Sequence, residues 1–254
     1  MLRRLINFHR FVKRVGTLGA AGAFSGKNGG VNFNSIRLAM EKLSVKVKAA
    51  YELGLDLSPE ERGRMLFKML GVKFSESEKD LIYRQAGRIL SNSGYYSKYP
   101  HLNPEARPAL KALRSRFPDI KIGLVSNAAR SEKTYRRMLE ALGVARYFDA
   151  FTISCEVGFL KPRREIFEAA LKRLSAKPSE TIHVGDLFRA DVVGAVDAGI
   201  NAALYTGLWH RYAPYMEAGE HIPRNFNSRK GLIVKEVSKL GEIVDLVDKS
   251  RGMK

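Results

Sequence analysis

The stretch Thr181-Ile-His-Val-Gly-Asp-Leu-Phe-Arg-Ala-Asp191 decides how this chain is read. Four strand-forming residues run into Gly185, and two acids follow, Asp186 and Asp191, five positions apart. Asp186 stands just past the carboxyl end of the strand, where open α/β sheets place ligand chemistry. Asp191 falls at the start of the next helical pattern, so the turn can fold it back towards Asp186. Two carboxylates converging at a strand end suit a hard, oxygen-preferring cation such as Mg²⁺. The plain alternative is a strand, a turn and an acid favoured by the dipole at a helix start.

Outward from this stretch, strands alternate with helices. Asn103-Pro104 opens a helix carrying Ala106, Leu110, Leu113 and Phe117 at helical spacing. Lys121–Ser126 reads as a buried strand, Ser131–Leu142 as a helix closed by Gly143, and Phe151–Ser154 as a second strand. Pro162–Leu174 is a helix, Thr181–Gly185 a strand, Arg189–Ala198 a helix stopped by Gly199, and Ile200–Tyr205 another strand. The tail from Leu232 to Val247 offers a last short strand and a helix. Such alternation predicts an α/β fold: a Rossmann-like parallel sheet with helices on both faces and right-handed crossovers.

Residues 33–95 have another texture. Asn34 or Ser35 can cap a helix presenting Ile36, Met40, Leu43 and Val47. Ser58-Pro-Glu-Glu61 and Ser75-Glu-Ser-Glu78 are capping boxes opening two more helices. Three helices without a strand predict an all-helical domain inserted at 33–95 into a core made of 1–32 and 96–254.

The 254 residues carry 44 Lys and Arg against 26 Asp and Glu, a net charge of +18. That balance favours anionic partners in general. The basic residues are spread along the chain, so the charge is read first as a surface property, and nucleic acid is not expected as the partner. No stretch has the 18 or more uncharged apolar residues of a membrane span. A single cysteine, Cys155, rules out an internal disulfide and fits a reducing, cytoplasmic setting. It follows a strand and reads as a buried, inert thiol.

Every polar residue of interest stands immediately after a strand. Ser126 and Asn127 end the first, Lys161 precedes Pro162 after the second, and Asp186 and Asp191 follow the third. Each alone has a dull reading, as turn residues or a solvated charge. Together, strand ends of one parallel sheet share one crevice. A hydroxyl, an amide, a fixed cation and two carboxylates describe a site for phosphate and Mg²⁺. The loop Gly207–Tyr215, with Trp209, His210 and Arg211, can border the same crevice, whereas His183, inside a strand, belongs to the core.

These motifs resemble those of the haloacid dehalogenase-like (HAD) hydrolase superfamily. Val-Ser-Asn-Ala (125–128) is similar to its second motif, Ser-Cys-Glu-Val-Gly-Phe-Leu-Lys-Pro-Arg-Arg-Glu-Ile-Phe (154–167) to its third, and His-Val-Gly-Asp-Leu-Phe-Arg-Ala-Asp (183–191) to its fourth. The insert at 33–95 is similar to the family's helical cap. The resemblance implies a Mg²⁺-dependent phosphatase acting on a small phosphorylated metabolite. By it, Ser126 donates to the phosphoryl oxygens and Asn127 fixes that loop. Lys161 neutralises charge, and Asp186 and Asp191 hold Mg²⁺, Asp186 most directly. The cap closes over the site and chooses the substrate.

The first motif departs from the family's pattern, which is a strand ending in an aspartate nucleophile, a second aspartate two residues on, then Gly-Thr-Leu. Leu5–Val12 can supply the strand and Gly16-Thr17-Leu18 matches, but Lys13 and Val15 occupy the acid positions. An ammonium forms no aspartyl-phosphate, and valine moves no proton. Nothing from 1 to 40 is acidic. Three readings stay open: a catalytically inactive relative that binds an anionic ligand or partner, a misread start that hides an intact motif, or a basic transit segment ahead of a domain without its first strand.

Overall fold

The computed structural model describes residues 11, 31–72, 74, 79–91, 102–207, 221–227 and 231–252. They form two compact units. One holds the described residues up to 91 together with Asn127–Ser131 and Ser154–Leu160; the other holds 102–126, Glu132–Ile153 and the chain from Lys161 onward. Segments 127–131 and 154–160, expected in the α/β core, thus group with the helices.

The helical unit is built from α1 (Phe33–Glu52), α2 (Pro59–Met69) and α3 (Lys79–Ser91). The cap of α1 is Asn32, ahead of the expected Asn34 or Ser35. Its carboxamide accepts the Ser35 amide at 2.9 Å while the Ser35 hydroxyl accepts the Asn32 amide at 2.9 Å. At α2 the predicted box forms. Ser58 Oγ accepts the Glu61 amide, the Glu61 carboxylate accepts the Ser58 amide at 2.7 Å, and Pro59 opens the helix. The box at 75–78 lies outside the described residues. Ile36, Leu43, Leu66, Phe67 and Ala86 make the unit's core. Gly63 lets α2 and α3 meet, since a Cβ there would stand 2.1 Å from the Tyr83 carbonyl oxygen.

The second unit runs α4 (Ala106–Arg116), β1 (Gly123–Ser126), α5 (Glu132–Ala141), β2 (Ala150–Ile153), α6 (Arg164–Leu174), β3 (Ile182–Gly185), β4 (Asn201–Tyr205), β5 (Val234–Val237) and α7 (Glu242–Gly252). Every strand pair is parallel. Leu113 of α4 and Phe117, which caps it, pack with Ile243 and Leu246 of α7 against Ala203 and Tyr205 of β4. Phe167 of α6 meets His183 of β3 edge-on at 5.1 Å. The predicted α/β class with parallel strands and helices on both faces is what the chain adopts.

The sheet, however, is in two parts: β1–β2 and β3–β4–β5. Among the described residues no strand joins β1 to β3. A cavity of about 640 Å³ lies there, lined by Leu124 and Val125 on one side and Ile182 and Val184 on the other. Its effect shows in burial: β1 and β3 are half-buried throughout, whereas every residue of β4 is buried. The buried strand predicted at 121–126 forms over Gly123–Ser126 and is half-buried. Of the strand expected at Leu5–Val12, only Phe11 is described. It is helical and packs against the core of the helical unit.

Candidate active site

β1 delivers Ser126 at its carboxyl end, and the Ser126 hydroxyl donates to the Tyr135 hydroxyl of α5 at 3.2 Å. One peptide bond further, Asn127 opens the segment that groups with the helices. Lys161 precedes α6 through a cis bond to Pro162. Its ammonium donates to the Val125 carbonyl at 3.4 Å and to Asp191 Oδ1 at 2.5 Å. One cation thus ties the end of β1 to the turn after β3.

Asp191 is turned inward and only 2% exposed. It sits in a π-helical turn, Phe188–Val193, that continues into a helical turn at Gly194–Asp197. Oδ1 accepts from Lys161 and from His183 Nε2 at 2.9 Å, and Oδ2 accepts the Leu187 amide at 3.0 Å. Gly185 makes this approach possible, since a Cβ there would lie 2.0 Å from Asp191 Cγ. Burial by itself raises the Asp191 carboxyl, but the His183 hydrogen bond and the Lys161 charge outweigh it and hold it well below the ordinary carboxylate range. Burial lowers His183, against the pull of Asp191, so the imidazole is neutral at pH 7 and donates Nε2–H.

His183 is thus a core residue, as its place in a strand predicts. Both Asp191 oxygens are engaged within the protein. Asp186 stands directly after β3 and is exposed. Among the described residues no three or more His, Cys, Asp or Glu side chains gather in a cluster fit for a metal ion. Trp209, His210 and Arg211 lie outside the described residues.

Within the segment Ser154–Leu160, Ser154 has a place in the structure that its sequence context does not predict. Ser154 is buried and bonded to Asp56, which is buried in turn beside Arg62. The contact between Ser154 and Asp56 spans 98 positions, and no local pattern signals it. Cys155 is the buried thiol predicted, with Sγ against the Arg130 carbonyl. Burial, helped by the charges of Asp56 and Glu156, pushes the thiol up to about 12. Its alkylation by iodoacetamide at pH 8 is therefore expected to run on the order of 10³-fold slower in the folded protein than in urea, where the thiol returns to about 8.5. Equal rates in the two states would place Cys155 outside the core.

A family model described as haloacid dehalogenase-like hydrolase matches residues 29–199, well over half of the chain. The chain belongs to the haloacid dehalogenase-like hydrolase family. A glyceraldehyde 3-phosphate phosphatase of Methanothermobacter thermautotrophicus is 28% identical over 207 residues, covering 76% of this chain and 86% of that protein. A second, from Methanopyrus kandleri, is 31% identical over 182 residues, covering 66% and 76%. A 2-haloacid dehalogenase structure from Pseudomonas syringae superimposes with a TM-score of 0.53 at 18% identity, covering 97% of this chain and 91% of that one, a likeness of fold. Ser126 is the last residue of β1 and Asp186 directly follows β3, whereas Lys161 comes after a helical turn at Ser154–Val157 and Asp191 lies within the π-helical turn.

Proposed function

We propose that this HAD hydrolase is a Mg²⁺-dependent phosphatase acting on a small phosphorylated metabolite. The observation that carries the reading is Lys161, fixed between the end of β1 and the turn after β3 by the Val125 carbonyl and Asp191. It holds one positive charge where Ser126 and Asp186 also end their strands, which suits a phosphoryl group. Two phosphatases similar in sequence are named for glyceraldehyde 3-phosphate, and another relative, of Halopiger xanaduensis, for ribulose-1,5-bisphosphate. All of these are small phosphorylated compounds.

In this reading Ser126 donates to a phosphoryl oxygen, Asn127 shapes the turn beyond it and Lys161 balances the charge. The helical unit serves as the cap. Asp186 is the protein ligand of Mg²⁺. Asp191, its oxygens committed to Lys161, His183 and the Leu187 amide, supports the site from below. A single carboxylate is compatible with Mg²⁺, which keeps several waters and takes further ligands from substrate phosphate. When bound, the ion would neutralise charge on the phosphoryl oxygens.

A second reading, a HAD protein that binds an anionic ligand without turning it over, is favoured by Lys13 and Val15 at the acid positions and by the cavity between β1 and β3. Hydrolysis of p-nitrophenyl phosphate separates the two. The phosphatase reading expects turnover that EDTA stops and that Asp186→Asn lowers by at least about 10²-fold, as loss of several kcal/mol of charge stabilisation requires. Phosphate binding without turnover selects the second reading. In that case Lys13→Asp with Val15→Asp is expected to create turnover if the rest of the site is competent.

A further inference from the structure

Asp56 lies in the loop between α1 and α2, is 3% exposed, and is the first aspartate in the chain. Its Oδ1 accepts from Arg62 Nη2 at 2.6 Å and its Oδ2 from the Ser154 hydroxyl at 2.6 Å. Arg62 also donates to the Leu57 carbonyl at 2.8 Å and to the Tyr51 hydroxyl at 2.7 Å. Ser154 Oγ in turn accepts the Ala128 amide at 2.8 Å. Beside this chain of bonds, the backbone of the same loop pairs with the run leading to Lys161. Leu55 bridges Phe159, the Asp56 amide donates to the Gly158 carbonyl at 3.0 Å, and the Leu160 amide donates to the Gly54 carbonyl at 2.8 Å. Gly158, at a φ of 87°, turns the chain into that pairing.

We propose that Asp56 is a positioning residue for the phosphate site, acting through Ser154 on the turn that contains Asn127. The inference rests on the phosphatase reading for its functional consequence, not for its geometry. A carboxylate only accepts, and at 2.6 Å it takes the Ser154 proton ahead of the Ala128 carbonyl, which stands 3.4 Å from the same hydroxyl. That leaves a Ser154 lone pair aimed at the Ala128 amide, next to Asn127, and gives the relay a fixed direction. The backbone pairing does the same for the other segment: Leu160, held to Gly54, is followed directly by Lys161. One buried loop of the helical unit therefore sets both segments that flank the site residues in sequence.

The test uses the full chain with Ser154→Ala, which leaves the Asp56–Arg62 pair in place, and Asp56→Asn, which keeps the shape but removes the charge and puts a donor amide where Asp56 could only accept. Hydrogen exchange of the 127–131 peptide reads the relay directly, and titration with inorganic phosphate and Mg²⁺ reads its consequence. Ser154→Ala is expected to speed exchange at 127–131 about tenfold, in line with one lost hydrogen bond, and to weaken phosphate binding by a similar factor. Exchange within α2 and α6 should stay at the wild-type rate, which shows that the variant is folded. Asp56→Asn should move the same two readouts in the same direction. Leu66→Ala is the control, because it lowers the stability of the helical unit without removing a member of the bonded chain; its 127–131 peptide should exchange no faster than α2 does. Unchanged 127–131 exchange in Ser154→Ala overturns the relay. Faster exchange with unaltered phosphate affinity overturns its role in the site. A wild-type protein that binds no phosphate sinks the phosphatase reading, while the exchange comparison still decides the relay.

Discussion

Lys161→Met is expected to destabilise the α/β unit by about 3 kcal/mol at pH 7.5, read as a shift in the denaturant midpoint with EDTA present. Lys161 and Asp191 are 12% and 2% exposed at the side chain, so the pair is shielded from solvent. Removing one member of such a pair leaves the other as an uncompensated buried charge, and losses of roughly 3–5 kcal/mol are usual. The lower end applies because Asp191 keeps His183 and the Leu187 amide. The pH dependence has a definite sign. In the wild type burial holds His183 below its unfolded value, so the unfolded chain binds the extra proton and stability falls as pH drops below about 6.5. Without Lys161, which also lowers His183, the imidazole can be protonated and stand in as the cation for Asp191. The deficit of the variant should then shrink between pH 7.5 and pH 6. A deficit that is constant or grows over that range would mean that His183 and Asp191 do not share the charge of Lys161.

How far the sequence foretells the molecule depends on the reach of each interaction. The Ser58 box is complete within four residues and is read directly; so is the parallel α/β order, because apolar runs of strand and helix length alternate from 103 to 205. The two-part sheet is not legible from β1 or β3, since their residues are those of buried strands. Of the stretch expected to supply a further strand, the one described residue, Phe11, is helical and packs with the helical unit. For Asp191, a spacing of five from Asp186 shows an acid in the right turn but not which way it faces. That is settled by His183, eight residues back, and Lys161, thirty back, both of which bind the same oxygen. The bond between Asp56 and Ser154 is illegible for a similar reason, the two being 98 positions apart.

Gly185→Ala is expected to cost about 4 kcal/mol of stability and to weaken phosphate binding, although it adds a single methyl to a strand. The new Cβ would fall 2.0 Å from Asp191 Cγ and 2.4 Å from Asp191 Oδ2, far inside contact distance. In many crowded places a flexible side-chain tip swings away, and the cost is small. Here the obstructing group is a short carboxylate with three hydrogen bonds, so it can leave only by giving up Lys161, His183 or the Leu187 amide, or by shifting the π-helical turn that carries it. Either outcome combines overpacking with a buried charge separated from its partner, two of the few mechanisms that produce losses of this size. Gly241→Ala supplies the comparison, because a Cβ there meets nothing within 4 Å and should change stability by less than about 0.5 kcal/mol. The decisive measurement is the double variant Gly185→Ala with Lys161→Met. If both act by dismantling the same Lys161–Asp191–His183 group, their losses overlap, and the double variant should be more stable than the sum of the singles by at least about 1 kcal/mol. Strict additivity would show instead that the methyl acts on the strand itself, and that Asp191 does not depend on the bare backbone of Gly185.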